Sequence, residues 1–267
     1  MTTLLLVHAH PDDECIATGG VMLRAHHDGI RVVLLTATRG EEGDIHNMDA
    51  DAVRPRLGEV RTAELMRSCE ILGVDRHEFL GYRDSGMAGA PSNDDPRAFH
   101  AAPLDDAAER VATFLRDERP DVVVTYTPDG TYWHPDHVKA HRATLAALDL
   151  VAAEGWAPAK FYMHAVPRSA VLGIERRARD AHADLPIEVG QIVGIPDDEI
   201  TTDVDVAAFF EQKRAAFLAH LSQYEPDSPF STIAAQIFEA TLRTERFILA
   251  RGALGEARPE QSLFAGL

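Results

Sequence analysis

Cysteine is nearly absent: Cys15 and Cys69 are the only two in 267 residues. That is too few for a disulfide framework and fits a reducing, cytoplasmic compartment. Basic residues are scarce beside acidic ones, 26 against 43, giving a formal charge of −17. A phosphate-binding surface needs clustered Lys and Arg, so nucleic acid is not an expected partner. No block of like charge is long enough to read as an interaction tail. No apolar run approaches the roughly 18 residues of a membrane span, and the first residues carry neither a basic segment nor a small-residue cleavage site. Neither a membrane partner nor a signal peptide is therefore expected. Hydrophobic residues make up 45% of the chain, enough to bury the core of one large α/β domain or two small ones.

Apolar runs alternate with amphipathic stretches. TLLLVHA (3–9), RVVLLTA (31–37), HEFLGY (77–82), DVVVTYT (121–127) and KFYMHAV (160–166) read as strands. Helices are predicted between them at about 16–28, 56–73, 104–120 and 135–153. Continuous apolar strands spaced by helices indicate a mostly parallel sheet covered on both faces. The second half is less regular, with strands at 199–206 and 244–250 and a helix at 207–221. GMAGAPSNDDPRAFHAAP (86–103) is a long polar loop, of the kind that serves as a lid, a binding loop or an ordinary surface excursion.

The chemistry concentrates in two places. The first strand runs into HAHPDD (8–13), and the segment after 121–127 reads PDGTYWHPDHVKAH (128–141). In a parallel α/β sheet, ligands bind beyond the carboxyl ends of the strands, so both motifs should reach one rim. Zinc is held by imidazole nitrogen and carboxylate oxygen, with three protein ligands at a catalytic site. His10, Asp13 and His137 make such a set, although residue type alone does not settle which members bind. A donor set without thiolate also admits iron, manganese or cobalt. The plainer alternative for HPDD is a helix cap. Asp12 suits a general base if it is not itself a ligand. His134 suits a charged group that stabilises an oxyanion or protonates a leaving amine. Asp136 suits an acceptor that orients the His134 ring. Tyr132 offers a hydroxyl donor to the same oxyanion, or is simply a rim aromatic.

Other polar residues read more plainly. His8 is expected as a packed core histidine and Cys15 as a small buried hydrophobe. His26 and His27 should be solvated and His141 structural, while His164 stands at a strand end within reach of the rim. Arg61 falls inside the apolar arc of its helix with Glu64 and Ser68. A buried guanidinium needs an anion, either a substrate group or a site carboxylate; a local pair with Glu64 or a snorkelling side chain are the alternatives.

VHAHPDDE (7–14), TRGEEGD (38–44), YRDSGMAG (82–89) and HPDH (134–137) together resemble the LmbE/PIG-L family of zinc-dependent N-deacetylases. The likeness covers roughly residues 4–142. TRGEEGD and RDSGMAG resemble its actinobacterial mycothiol branch, which contains an N-acetylglucosaminyl-inositol deacetylase and a mycothiol S-conjugate amidase. The resemblance implies Zn2+, or Fe2+ or another divalent ion, on His10, Asp13 and His137. It implies Asp12 as base, and His134 as the residue assisting the tetrahedral intermediate, oriented by Asp136. Tyr132 then lies near the oxyanion. Arg61 and Asp84 are implied to contact the sugar and polyol, with Met87 in the adjoining loop and Asp44 where the branch tends to carry Glu. It further implies a Rossmann-like α/β fold in a single domain, 1–165 forming the core with the metal site and 166–267 shaping the pocket. Thr131 and Trp133 stand where that branch has small glycines, so a bulkier rim is expected. The function implied is removal of acetyl from an N-acetylglucosamine-type small molecule. An S-conjugate amidase, a deacetylase of an antibiotic-pathway amino sugar and a metal-retaining sugar-binding module are the alternatives, and a homo-oligomer is left open.

Overall fold

The computed structural model describes residues 1–180, 191–224 and 243–267. Seven strands form one sheet in the order β3-β2-β1-β4-β5-β7-β6. β1 (Thr3–His8), β2 (Arg31–Thr36), β3 (Arg76–Phe79), β4 (Val122–Tyr126) and β5 (Lys160–His164) are parallel. β7 (Thr244–Arg251) pairs antiparallel with β5, and β6 (Thr202–Asp205) pairs antiparallel with β7.

The apolar runs are continuous because both faces of the sheet are covered. Leu4 and Leu6 share one face with Val32, Leu34, Val122 and Val124, and that layer packs on Met22, Leu65 and Leu72 of the helices Gly19–His27 and Leu57–Leu72. Leu5 and Val7 share the other with Val33, Leu35 and Val123, covered by Val111, Leu115 and Ala143 of the helices Leu104–Glu118 and Pro135–Ala153. From β1 the chain builds outward to β2 and β3, then returns to lay β4 and β5 on the opposite side. β1 and β4 are therefore neighbours whose following loops diverge. A crevice opens at their carboxyl ends, where open α/β sheets bind ligands.

Two elements differ from expectation. The helix predicted from residue 16 begins at Asp13, after Asp12 turns the chain with φ 107°, and divides at Thr18, φ −142°, into Asp13–Ala17 and Gly19–His27. The segment 207–221 is a turn followed by a helix, Phe210–Leu218, and a second turn, Leu221–Gln223. Loop 86–103 is tied to the body of the protein at several points. Arg83 and Phe99 bond its stem, the Asn93 side chain donates to the Ser85 and Met87 carbonyls, and the Lys139 ammonium donates to the His100 and Ala102 carbonyls. Among the described residues no helix is long and apolar enough to cross a membrane.

The C-terminal strands are locked by a buried charge. Glu260 is fully buried and accepts from Lys160 Nζ at 2.7 Å, Tyr162 Oη at 2.6 Å and Thr202 Oγ1 at 3.2 Å. Breaking such a pair from one side strands the other charge without a partner. Glu260→Ala should therefore cost about 3–5 kcal/mol of stability, read as a lower midpoint in chemical denaturation; an unchanged midpoint would refute this account of the edge.

Candidate metal centre

Two loops deliver the site, as the strand order requires. His10, Asp12 and Asp13 follow β1, and Tyr132, His134, Asp136 and His137 follow β4. Asp13 joins the two. Its Oδ2 accepts from the His10 amide at 2.8 Å and from Tyr126 Oη at 2.7 Å. Its Oδ1 lies 3.4 Å from His137 Nε2.

Ring partners assign the tautomers. His10 Nε2 faces the Asp136 and Asp84 carboxylates at 3.3 and 3.5 Å, so it carries the proton and leaves Nδ1 as a lone pair. His137 Nδ1 donates to the Gly130 carbonyl at 3.1 Å, leaving Nε2 as a lone pair. These two lone pairs face each other at 3.2 Å, with the Asp13 carboxylate 3.5 Å from His10 Nδ1. Facing lone pairs repel unless a metal ion or a proton lies between them. The 3.2 Å between the two nitrogens and the 3.4 Å from His137 to Asp13 Oδ1 are close to the edge of a tetrahedron with metal–ligand bonds near 2.0–2.1 Å, about 3.3–3.4 Å; the His10 spacing is to the other oxygen, Oδ2, and His134 also offers a nitrogen within reach of His10 and His137. The residues thus fit a divalent ion, and the hydrogen bonds behind each ring orient it.

The surrounding carboxylates favour positive charge at this point, supplied by a metal ion or by a second proton on His10. Burial opposes charge on His10, but Asp84, Asp13 and Asp136 outweigh it and hold its pKa well above the usual imidazole range. Burial likewise opposes charge on Asp13, yet His137 and His10 hold it well below the usual carboxylate range. Asp12 is different: burial raises it, Arg61 opposes, and it settles at about 6. A carboxyl poised near neutrality is suited to take and return a proton.

Arg61 is buried, and its Nη2 donates to Asp12 Oδ2 at 2.9 Å and to the Pro11 carbonyl, while Nη1 donates to the Gly40 carbonyl at 2.9 Å. Of the sequence alternatives, the site carboxylate is the one engaged; Glu64 instead accepts from Ser222. The glycines of TRGEEGD make room for this guanidinium. A Cβ on Gly40, at φ +67°, would lie 2.1 Å from Arg61 Nη1, and one on Gly43 2.5 Å away.

Two expected contacts are made differently. The Asp136 carboxylate does not reach the His134 ring: it accepts from the Ser85 amide at 2.9 Å, from the Ser85 hydroxyl, and from His10. His134 is oriented instead by the Asp136 backbone amide, which donates to Nδ1 at 3.1 Å. The proton then sits on Nε2. Burial, with His10 and His137 adding to it, pushes His134 down to about 2, the direction that favours a neutral ring with its proton on Nε2. Asp84, implied as a sugar contact, accepts from the Gly86 and Glu42 amides and lies behind His10. Met87 is half-buried in the loop beyond Ser85, and Asp44 is exposed with its carbonyl tied to Gln223.

Tyr132 stands at the rim, its ring 4.9 Å from that of His137. It is flanked by Thr131 and Trp133, both with positive φ, +74° and +67°. Such backbone is strained for a β-branched or bulky residue, and glycine adopts it freely. His8 is a core histidine bonded to Thr18 and Tyr126, His141 donates to the Tyr126 carbonyl, His26 and His27 are exposed, Cys15 is buried, and His164 stands in register with Tyr126 and packs on Phe247.

Sequence reasoning missed Tyr126, which also accepts from the Ala9 amide at 2.8 Å and stacks on His137 at 4.2 Å. It read as one more core residue of DVVVTYT; its signal was its place as the last strand residue before the loop. Ser85 and Glu14 were missed too, though both stand inside quoted motifs.

Residues 5–148 match the family PIG-L, GlcNAc-PI de-N-acetylase. Over 99% of this chain and 95% of the relative, the sequence is 44% identical to a protein of Acidothermus cellulolyticus named 1D-myo-inositol 2-acetamido-2-deoxy-alpha-D-glucopyranoside deacetylase. In fold it resembles the N,N'-diacetylchitobiose deacetylase of Pyrococcus horikoshii, with a TM-score of 0.63 at 19% identity over 93% of this chain and 83% of the other. It equally resembles the 4-carboxy-2-hydroxymuconate hydratase of Pseudomonas putida, at 0.63 and 19% over 96% and 99%. Likeness at that level establishes the fold alone. Carried by the family match and the near-full-length relative, the conclusion is that this chain belongs to the PIG-L family of de-N-acetylases.

Proposed function

We propose that this protein hydrolyses the N-acetyl group of N-acetylglucosaminyl-inositol, releasing acetate and the free amine, with zinc or another divalent ion such as Fe2+ held by His10, Asp13 and His137. The chemistry rests on one observation above all: two imidazole lone pairs and a carboxylate converge at ligand spacing beside a carboxyl poised near neutrality. The choice of substrate rests on similarity along nearly the whole chain to a relative bearing that name. The cytoplasm is the proposed compartment, on two buried cysteines that remain unpaired.

A divalent ion in this position polarises a carbonyl and lowers the pKa of water. Asp12, steadied by Arg61, takes a proton from the attacking water. His134 donates its Nε2 proton in a hydrogen bond to the oxygen of the acetyl carbonyl as charge develops there, and the Tyr132 hydroxyl approaches the same oxygen. Asp12 then returns its proton to the nitrogen as the carbon–nitrogen bond breaks. Asp136 and Asp84 keep His10 in its ligand tautomer. Asp44 and Met87, on loops flanking this rim, are proposed to contact the sugar; Arg61 is assigned to Asp12 rather than to the substrate.

The direct test is release of primary amine from N-acetylglucosaminyl-inositol by zinc-loaded protein. Asp12→Asn should lower kcat by about 10²–10⁴-fold while metal analysis still finds one ion per chain. Full activity in that variant would remove Asp12 as base, and no turnover by the metal-loaded wild type would remove the substrate. His137→Ala should lose both the ion and the activity, so metal retained at the wild-type stoichiometry would argue against this ligand set. Gly40→Ala should displace Arg61 and lower kcat by about 10–100-fold with the metal retained; unchanged kinetics would show that the Arg61–Asp12 contact does not matter to turnover.

A further inference from the structure

Asp12 holds a backbone conformation that an L-residue adopts reluctantly, φ 107° and ψ −28°. Two contacts keep it there. Arg61 holds its carboxylate, and its amide donates to Glu14 Oε2 at 2.8 Å. Glu14 is itself buried, with 1% exposure, and its other oxygen accepts from the Ser68 hydroxyl and from His220 Nε2 at 2.8 Å. His220 is 206 residues away in sequence, just beyond the helix Phe210–Leu218. A carboxylate without exposure needs its partners to stay ionised and fixed, and His220 is the partner with a basic ring.

We propose that His220 is a positioning residue for the reaction: by fixing Glu14 it fixes the Asp12 amide, and so aims the Asp12 carboxylate. The assignment rests on the reading of Asp12 as the base. His220 is separable from the attachment of its own segment. The helix before it is anchored by the buried pair Lys213–Glu245, with Glu245 also accepting from the Gly20 and Val21 amides. The turn after it is anchored by Ser222, which donates from its amide and its hydroxyl to Glu64 at 2.7 and 2.6 Å. Loss of the His220 side chain therefore leaves the segment docked, while loss of the Ser222 hydroxyl loosens the docking without touching Glu14.

The experiment compares His220→Ala, His220→Gln and Ser222→Ala in the full-length, metal-loaded protein. It measures kcat, KM, metal content, Tm and amide hydrogen exchange of peptides spanning 9–16. His220→Ala should lower kcat about 10–100-fold, leave KM and metal content within twofold, and speed exchange over 9–16. His220→Gln, whose amide can donate to Glu14, should recover most of both effects. Ser222→Ala should lower Tm and leave kcat and that exchange unchanged. Wild-type kcat and wild-type exchange in His220→Ala would overturn the proposal, as would a Ser222→Ala variant that loses kcat equally. The exchange readout needs no substrate. Faster exchange in His220→Ala, alongside a wild type that deacetylates nothing, would support the positioning contact and count against the proposed reaction.

Discussion

The carboxylate of Asp13 is the joint on which the rim depends. One oxygen is bound by the His10 amide and by the Tyr126 hydroxyl, which bridges the loop after β1 to the last residue of β4. With that oxygen fixed, the other is left facing His137. Two strands that are neighbours only because the sheet reverses its order between them are thereby closed over one point. Remove that bridge and the histidines from the two loops have no common centre.

Gathering four carboxylates and three imidazoles at one buried rim is unfavourable unless the charges are mutually arranged. Each group here has a partner that fixes its role. Asp84 and Asp136 take the far side of His10, the Gly130 carbonyl takes the far side of His137, and the Asp136 amide takes the near side of His134. What remains pointing inward is two lone pairs and one carboxylate oxygen. The division of labour comes from hydrogen bonds behind the ligands, which is where the selectivity of metal sites commonly resides. Asp12 is set apart from its neighbours by a guanidinium and a strained backbone, and strain at such positions is held by the surrounding structure.

The shared fold explains little of this by itself, because a protein named as a hydratase has the same architecture at the same structural similarity. The sheet supplies a crevice; the side chains at its lip supply the reaction. The described residues of the C-terminal half contribute through contacts behind the rim. Glu245 caps the helix beginning at Gly19, and the segment around His220 and Ser222 presses on Glu14 and Glu64 from behind the rim.

The parallel strands, the helices between them and the meeting of HPDD with HPDH were all determined locally. Short continuous apolar runs bounded by turns and spaced by helices read as strands covered on both faces, and parallel strands end at one edge. The three proposed metal-ligand residues could be picked out for the same reason, since each lies in the segment that follows a strand end. Partners set by long-range packing were not legible. That Arg61 turns to Asp12 across 49 residues, that Asp136 turns to Ser85 rather than to His134, and that His220 reaches Glu14 across 206 residues depends on which surfaces meet once the layers are stacked. Motif spacing carries periodicity and strand direction, but it does not encode which of two nearby carboxylates a buried donor will find. Only the tertiary structure decides that, because the choice is made by burial and geometry among groups that the sequence keeps apart.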